Sequence, residues 1–146
     1  MTNVADVDTD QRISLLRGVA LFRGVGDAGL AAIAAKATEV SFDDGRTIVR
    51  QGEVGTGFYL IVSGSARVVR DGELIAHLGA GQFLGELSLL DGQPRIAQVV
   101  ADGRTTCLAL ASWDFEAILA AQPGVALAIL REVASRLRAL SEDQSH

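Results

Sequence analysis

Between Glu39 and Leu110, glycines recur at Gly45, Gly52, Gly64, Gly72, Gly79, Gly81, Gly92 and Gly103, and short β-prone runs fill the intervals. Glycine tolerates the backbone angles of tight reversals, so this spacing commits the middle of the chain to short strands joined by turns. The runs are Thr47-Ile48-Val49, Phe58-Tyr59-Leu60-Ile61-Val62, Ala66-Arg67-Val68-Val69 and Leu74-Ile75-Ala76-His77-Leu78. Two more follow, from Ile96 to Val100 and from Thr106 to Leu110. Strands this short at such even intervals predict a barrel or double-sheet roll. Asp71-Gly72, between two alternating runs, is a hairpin signal.

Helical patterns flank this region. Ile13 and Leu16 mark a short helix over 10–17 with Gly18 as its stop, and Asp27 is a candidate cap for a helix carrying Leu30, Ile33, Ala34 and Ala37. After the strands, Ser112 is a candidate cap for a third helix whose first turn holds Asp114 and Glu116. Gln122-Pro123 interrupts it, and Pro123 suits the start of another. That last helix places Ala126, Leu130, Val133, Leu137 and Leu140 at alternating spacings of four and three. The expected architecture is α+β: an antiparallel β-roll flanked by N-terminal helices and a C-terminal helix. Residues 1–9 are a mobile lead-in, 10–141 a single domain and 142–146 a polar tail. A chain of 146 residues suffices for one such domain with its own core.

Charge and composition narrow the function. The net charge is −5, with no basic stripe or patch, which excludes nucleic acid as the expected partner. The single cysteine, Cys107, forms no internal disulfide and sits in a β-prone run as a structural thiol. No basic-then-apolar leader or membrane-length apolar run is present, so a cytoplasmic location is expected. A metal-dependent roll enzyme needs several converging histidines, whereas this chain has only His77 and His146. A non-catalytic domain without metal or cofactor is the expectation.

The segment Phe83-Leu84-Gly85-Glu86-Leu87-Ser88-Leu89-Leu90-Asp91-Gly92-Gln93-Pro94-Arg95-Ile96-Ala97-Gln98-Val99 resembles the phosphate-binding cassette of the cyclic-nucleotide-binding domain family, of the catabolite activator and cyclic-AMP-dependent kinase regulatory subunit type. In that cassette Gly-Glu precedes a short helix, and Arg follows nine positions after the Glu, as Arg95 follows Glu86. Arg50-Gln51-Gly52-Glu53 with Gly57 to Gly64 resembles the family's glycine-punctuated strands. Leu15-Leu16 with Leu21-Phe22 resembles its N-terminal helical segment.

The resemblance implies a ligand-binding set of Gly85, Glu86, Leu87, Ser88, Arg95, Ile96 and Ala97. A phosphate anion entering a roll needs N–H donors and a cation, since an unpaired buried charge is costly. The first turn of a helix over 86–90 offers free N–H groups around Glu86, Leu87 and Ser88, and Arg95 offers a two-pronged donor set. Gly85 lets the backbone approach closely, Glu86 accepts from a ribose hydroxyl, and Ala97 leaves room beside the phosphate. Where many members carry Ser or Thr after the arginine this chain has Ile96, and two positions beyond the arginine stands Gln98 where a small hydroxyl is frequent. A guanine contact is thereby lost, so cyclic AMP is expected over cyclic GMP. The resemblance also makes the last helix a lid over the base and a possible homodimer seam, with an unidentified effector protein downstream. The competing reading is a ligand-free domain of the same fold, acting in dimerisation or protein interaction.

Overall fold

A computed structural model describes the backbone of residues 8–144, with side chains except those of 86–88 and 142–144. Most of the expected lead-in therefore lies outside the described residues. The elements are α1 (Thr9–Arg17), a 3-10 turn (Ala20–Phe22), α2 (Asp27–Lys36), β1 (Thr38–Phe42), β2 (Thr47–Val49), β3 (Gly57–Arg70), β4 (Glu73–Gly79), β5 (Phe83–Leu84), α3 (Glu86–Asp91), β6 (Gln98–Ala111), α4 (Ser112–Ala121) and α5 (Pro123–Gln144). The α+β reading holds, with helices at both ends of an antiparallel roll.

Two expected caps are corrected. Asp27 and Ser112 are the first helical residues of α2 and α4, and Gly26 and Ala111 occupy the extended cap positions. A side-chain cap needs the extended backbone that those two residues have already left. Asp27 instead accepts from Arg17 Nη2 at 2.9 Å, joining α1 to α2. Asp8 does cap α1, accepting from the Gln11 N–H at 2.8 Å. At the other end α5 continues to Gln144, so residues 142–144 of the expected tail are helical backbone.

Pairs of expected strands prove to be single ones. β3 and β6 are each 14 residues long and pair with each other along most of their length. The first half of β3 and the second half of β6 are flanked by β5 and β1; their other halves are flanked by β4 and β2. The register of β3 on β6 shifts around Ser63 and Ser65, where Gly64 has φ +92°. The ribbon bends there, and one pair of strands serves both faces of the roll. Asp71 (φ +52°) and Gly72 (φ +80°) form the β3–β4 turn, and two positive φ values are what a type I′ hairpin requires.

The strands separate two cores. Phe58, Leu60, Leu108 and Leu110 face the helices and pack with Leu16, Phe22, Ile33, Phe115, Val125 and Ile129. Inside the roll lie Ile48, Ile61, Ala66, Leu84, Val99, Ala101 and Cys107. The alternation along β3 and β6 assigns side chains to the two sides.

Candidate ligand-binding site

The roll encloses a cavity of about 370 Å³, with apolar walls from β2, β3, β4 and β6 (Val49, Val68, Leu78, Val99) and a polar wall from the segment 91–97 with Gly85. The polar wall is held by backbone. Arg95 N–H donates to Glu53 O and Gly52 N–H donates to Arg95 O, each at 2.8 Å, and Val54 bridges Pro94. The loop over 50–56 is therefore the frame on which the arginine stands, and Gly52 takes φ +85° to make it.

Arg95 reaches from this frame across to β3, where Nη2 donates to Gly57 O. Among the described residues no carboxylate lies within ion-pair distance of its guanidinium. Burial depresses its pKa, and the neighbouring Tyr59 phenol partly offsets that effect. An arginine nevertheless stays cationic at neutral pH, leaving a half-buried positive charge at the cavity wall.

Gly85 has φ +85°, and a Cβ there would run into Arg95 Nη1 and stand 2.7 Å from Gly57 O. Only glycine fits between the guanidinium and the strand. The chain enters α3 directly afterwards, with Leu89 N–H donating to Gly85 O at 3.3 Å. Leu89 is buried in the helix-side core, so α3 touches both the cavity and the helices. Glu86, Leu87 and Ser88 form its first turn, and the places of their side chains lie outside the described residues.

Gly85, Arg95, Ile96 and Ala97 thus meet at one cavity. Ile96 is 73% exposed at the rim, so it does not plug the hollow. Ala97 is half-buried in the wall. Sequence reasoning missed the apolar wall, and Ile75 most of all. The β3–β4 register slips between Val68 and Val69, and Ile75, inside this bulge, reaches the cavity although neighbouring Ala76 pairs with Val68. A strict period of two has no place for such a residue. Among the described residues no three His, Cys, Asp or Glu side chains gather into a metal site.

The last helix packs on the helix side of the roll. α5 buries Val125 and Ile129 against the helix-side core, and among the described residues none from α5 lines the cavity. Gly29 makes the approach possible, since a Cβ there would stand 2.8 Å from Val125 Cγ2. The expected seam lies largely outside, with Leu130 63%, Leu137 60% and Leu140 59% exposed. Among the described residues no single helix is long and apolar enough to cross a membrane.

Comparison with known proteins agrees with this geometry. Residues 39–122 match the Cyclic nucleotide-binding domain family. A cAMP-dependent protein kinase regulatory subunit from Mucor circinelloides f. lusitanicus is 38% identical over 110 residues, covering 73% of this chain and 25% of the relative. A CRP-like cAMP-activated global transcriptional regulator from Mycobacterium tuberculosis is 32% identical, covering 85% and 58%. Among solved structures, the N-terminal domain of a transcriptional regulator from Streptomyces coelicolor A3(2) has TM-score 0.82 and 34% identity, covering 88% of this chain and 93% of that one. The regulatory domain of Toxoplasma gondii PKA, crystallised with cAMP, has TM-score 0.69 and 29% identity, covering 88% and 50%. The first curated relatives are much longer proteins, of which the chain spans between 21% and 58%. With its roll, its cassette and the match over 39–122, the chain belongs to the cyclic nucleotide-binding domain family.

Proposed function

We propose that this domain is a non-catalytic cytoplasmic sensor that takes cyclic AMP in preference to cyclic GMP and reports its capture to an effector protein. One observation carries the reading: a half-buried guanidinium, with no carboxylate among the described residues within ion-pair distance, stands beside a glycine at the polar end of a largely apolar cavity. That is the environment an exocyclic phosphate oxygen needs, with the purine against the apolar wall of Val49, Val68 and Leu78.

Each site residue has a role in this reading. Arg95 pairs with the phosphate, and the first-turn amides of Glu86, Leu87 and Ser88 add donors. Gly85 gives the phosphate close access to backbone, Glu86 accepts from the ribose 2′-hydroxyl, and Ala97 clears space. Ile96 offers no hydroxyl to a guanine amino group, which is the basis of the preference for adenine. Capture then biases α3 and the α5 lid, a shift between two populated arrangements.

Isothermal titration of the wild type and of Arg95→Ala with each cyclic nucleotide tests the reading. Loss of the cation is expected to weaken cyclic AMP binding about thirtyfold to a thousandfold. Equal affinity in the two proteins refutes the assignment of Arg95.

The exposed leucines of α5 favour a second reading, a ligand-free module that dimerises through this helix. It predicts no heat of binding from either nucleotide, so the same titration separates the two.

A further inference from the structure

α5 presents a buried stripe of Val125, Ile129 and half-buried Val133, and a carboxylate interrupts that stripe. Glu132 is only 12% exposed in its side chain, and Arg23, from the end of the 3-10 turn, brings Nη1 to 3.8 Å from it. Arg136, one turn further along α5, lies 3.7 Å from the same carboxylate oxygen. Beside this contact Gly24 lies against Ala128 at ordinary van der Waals distance, an added Cβ on the glycine standing 3.6 Å from the Ala128 Cβ.

A carboxylate is an odd choice for a packing face. An apolar side chain of similar size at 132 would hold α5 on the turn at least as firmly, because an ion pair with one exposed partner returns little beyond the cost of desolvating the buried one. What an ion pair does provide is orientation together with release. Its solvent-facing partner is ready to rehydrate, since the Arg23 side chain is 71% exposed. The pair also crosses between elements, and among the described residues Arg23 pairs with no other carboxylate.

We propose that the Arg23–Glu132 pair is an autoinhibitory latch, holding α5 on the 3-10 turn and away from the cavity until ligand capture draws the helix off. The proposal rests on the reading of α5 as the lid of a cyclic nucleotide site. Where a ligand favours the released arrangement, apparent affinity scales with the fraction already released, so a broken latch tightens binding. The unusual consequence is that a substitution remote from the cavity improves the sensor.

Arg23→Gln is the main test, because it breaks the contact between elements at an exposed position. Glu132→Gln is the second variant, and Arg136→Gln, which removes only the pair within α5, is the control. In ligand-free protein, amides of α5 are expected to exchange with solvent about two- to fivefold faster in Arg23→Gln than in wild type or control, with β3 and β6 unchanged. Calorimetric titration with cyclic AMP is expected to give a two- to fivefold lower dissociation constant in Arg23→Gln and Glu132→Gln, about the range of one partly exposed pair. Unchanged α5 exchange in both variants overturns the latch whether or not the ligand binds. Faster exchange with unaltered cyclic AMP affinity overturns its coupling to the site. Absence of cyclic AMP binding by the wild type refutes the sensor reading instead, and the exchange measurement then decides the latch alone.

Discussion

At the scale of single residues, the site is an interlock between an absent side chain and a present one. The Arg95 guanidinium occupies the volume that a Cβ on residue 85 would need, so the two identities require each other. The glycine, the arginine and their spacing are visible in the sequence. The loop over 50–56 that holds the arginine is not, because backbone hydrogen bonds from Gly52 and to Glu53 leave little trace in side-chain identity. Cys107 supplies a prediction of its own. Burial in the roll pushes its thiol pKa from 9.0 up to about 11. The unfolded chain therefore loses this proton first on raising the pH, binds fewer protons than the folded one between 9 and 11, and gains stability relative to it. Urea unfolding of wild type and Cys107→Ala across that window is expected to show a steeper loss of stability in the wild type. Parallel curves would mean that the thiol ionises equally in both states.

Elements depend on where strands are allowed to turn. Gly64 sits at φ +92°, and a Cβ there would lie 2.5 Å from Arg104 O and 2.8 Å from Thr105 Cα, both fixed backbone. Gly64→Ala is expected to lose at least about 3 kcal/mol, from left-handed strain compounded by the clash. Gly45→Ala shares a positive φ but has nothing within 4 Å of its added methyl, and is expected to lose only about 1–2 kcal/mol. Urea midpoints at constant m-value compare them directly, and equal losses would remove the steric argument. The existence of strands was legible here, whereas their continuity was not. Gly64 and Gly103 look like ends of strands in the sequence, but positive φ at each lets one strand bend and carry on. Which face of α5 packs inward was not legible for a related reason. Two apolar stripes run along that helix, and Gly29 favours the one bearing Val125 and Ile129, because an added Cβ there would stand 2.8 Å from Val125 Cγ2.

For the molecule as a whole, the proposed ligand binding would be linked to folding. Cyclic AMP at a hundredfold over its dissociation constant is expected to stabilise the fold by about 2.7 kcal/mol, which raises the melting temperature of a domain this size by roughly 5–10 °C. Cyclic GMP at the same concentration is expected to give a smaller rise. Scanning calorimetry checks both, and an equal rise would contradict the adenine preference. Legibility changes with scale. Class, element order and the cassette were readable from local pattern, whereas the position of α5 depends on contacts between residues about a hundred positions apart.

β3 and β6 cross from one face of the roll to the other without a break. A nut and bolt cut from one rod cannot be unscrewed, and in the same way neither half of this barrel has its own backbone to fall back on. Damage on the cavity side is expected to travel along two uninterrupted ribbons into the strands beneath the helices, so the pocket and its scaffold are expected to melt in one transition.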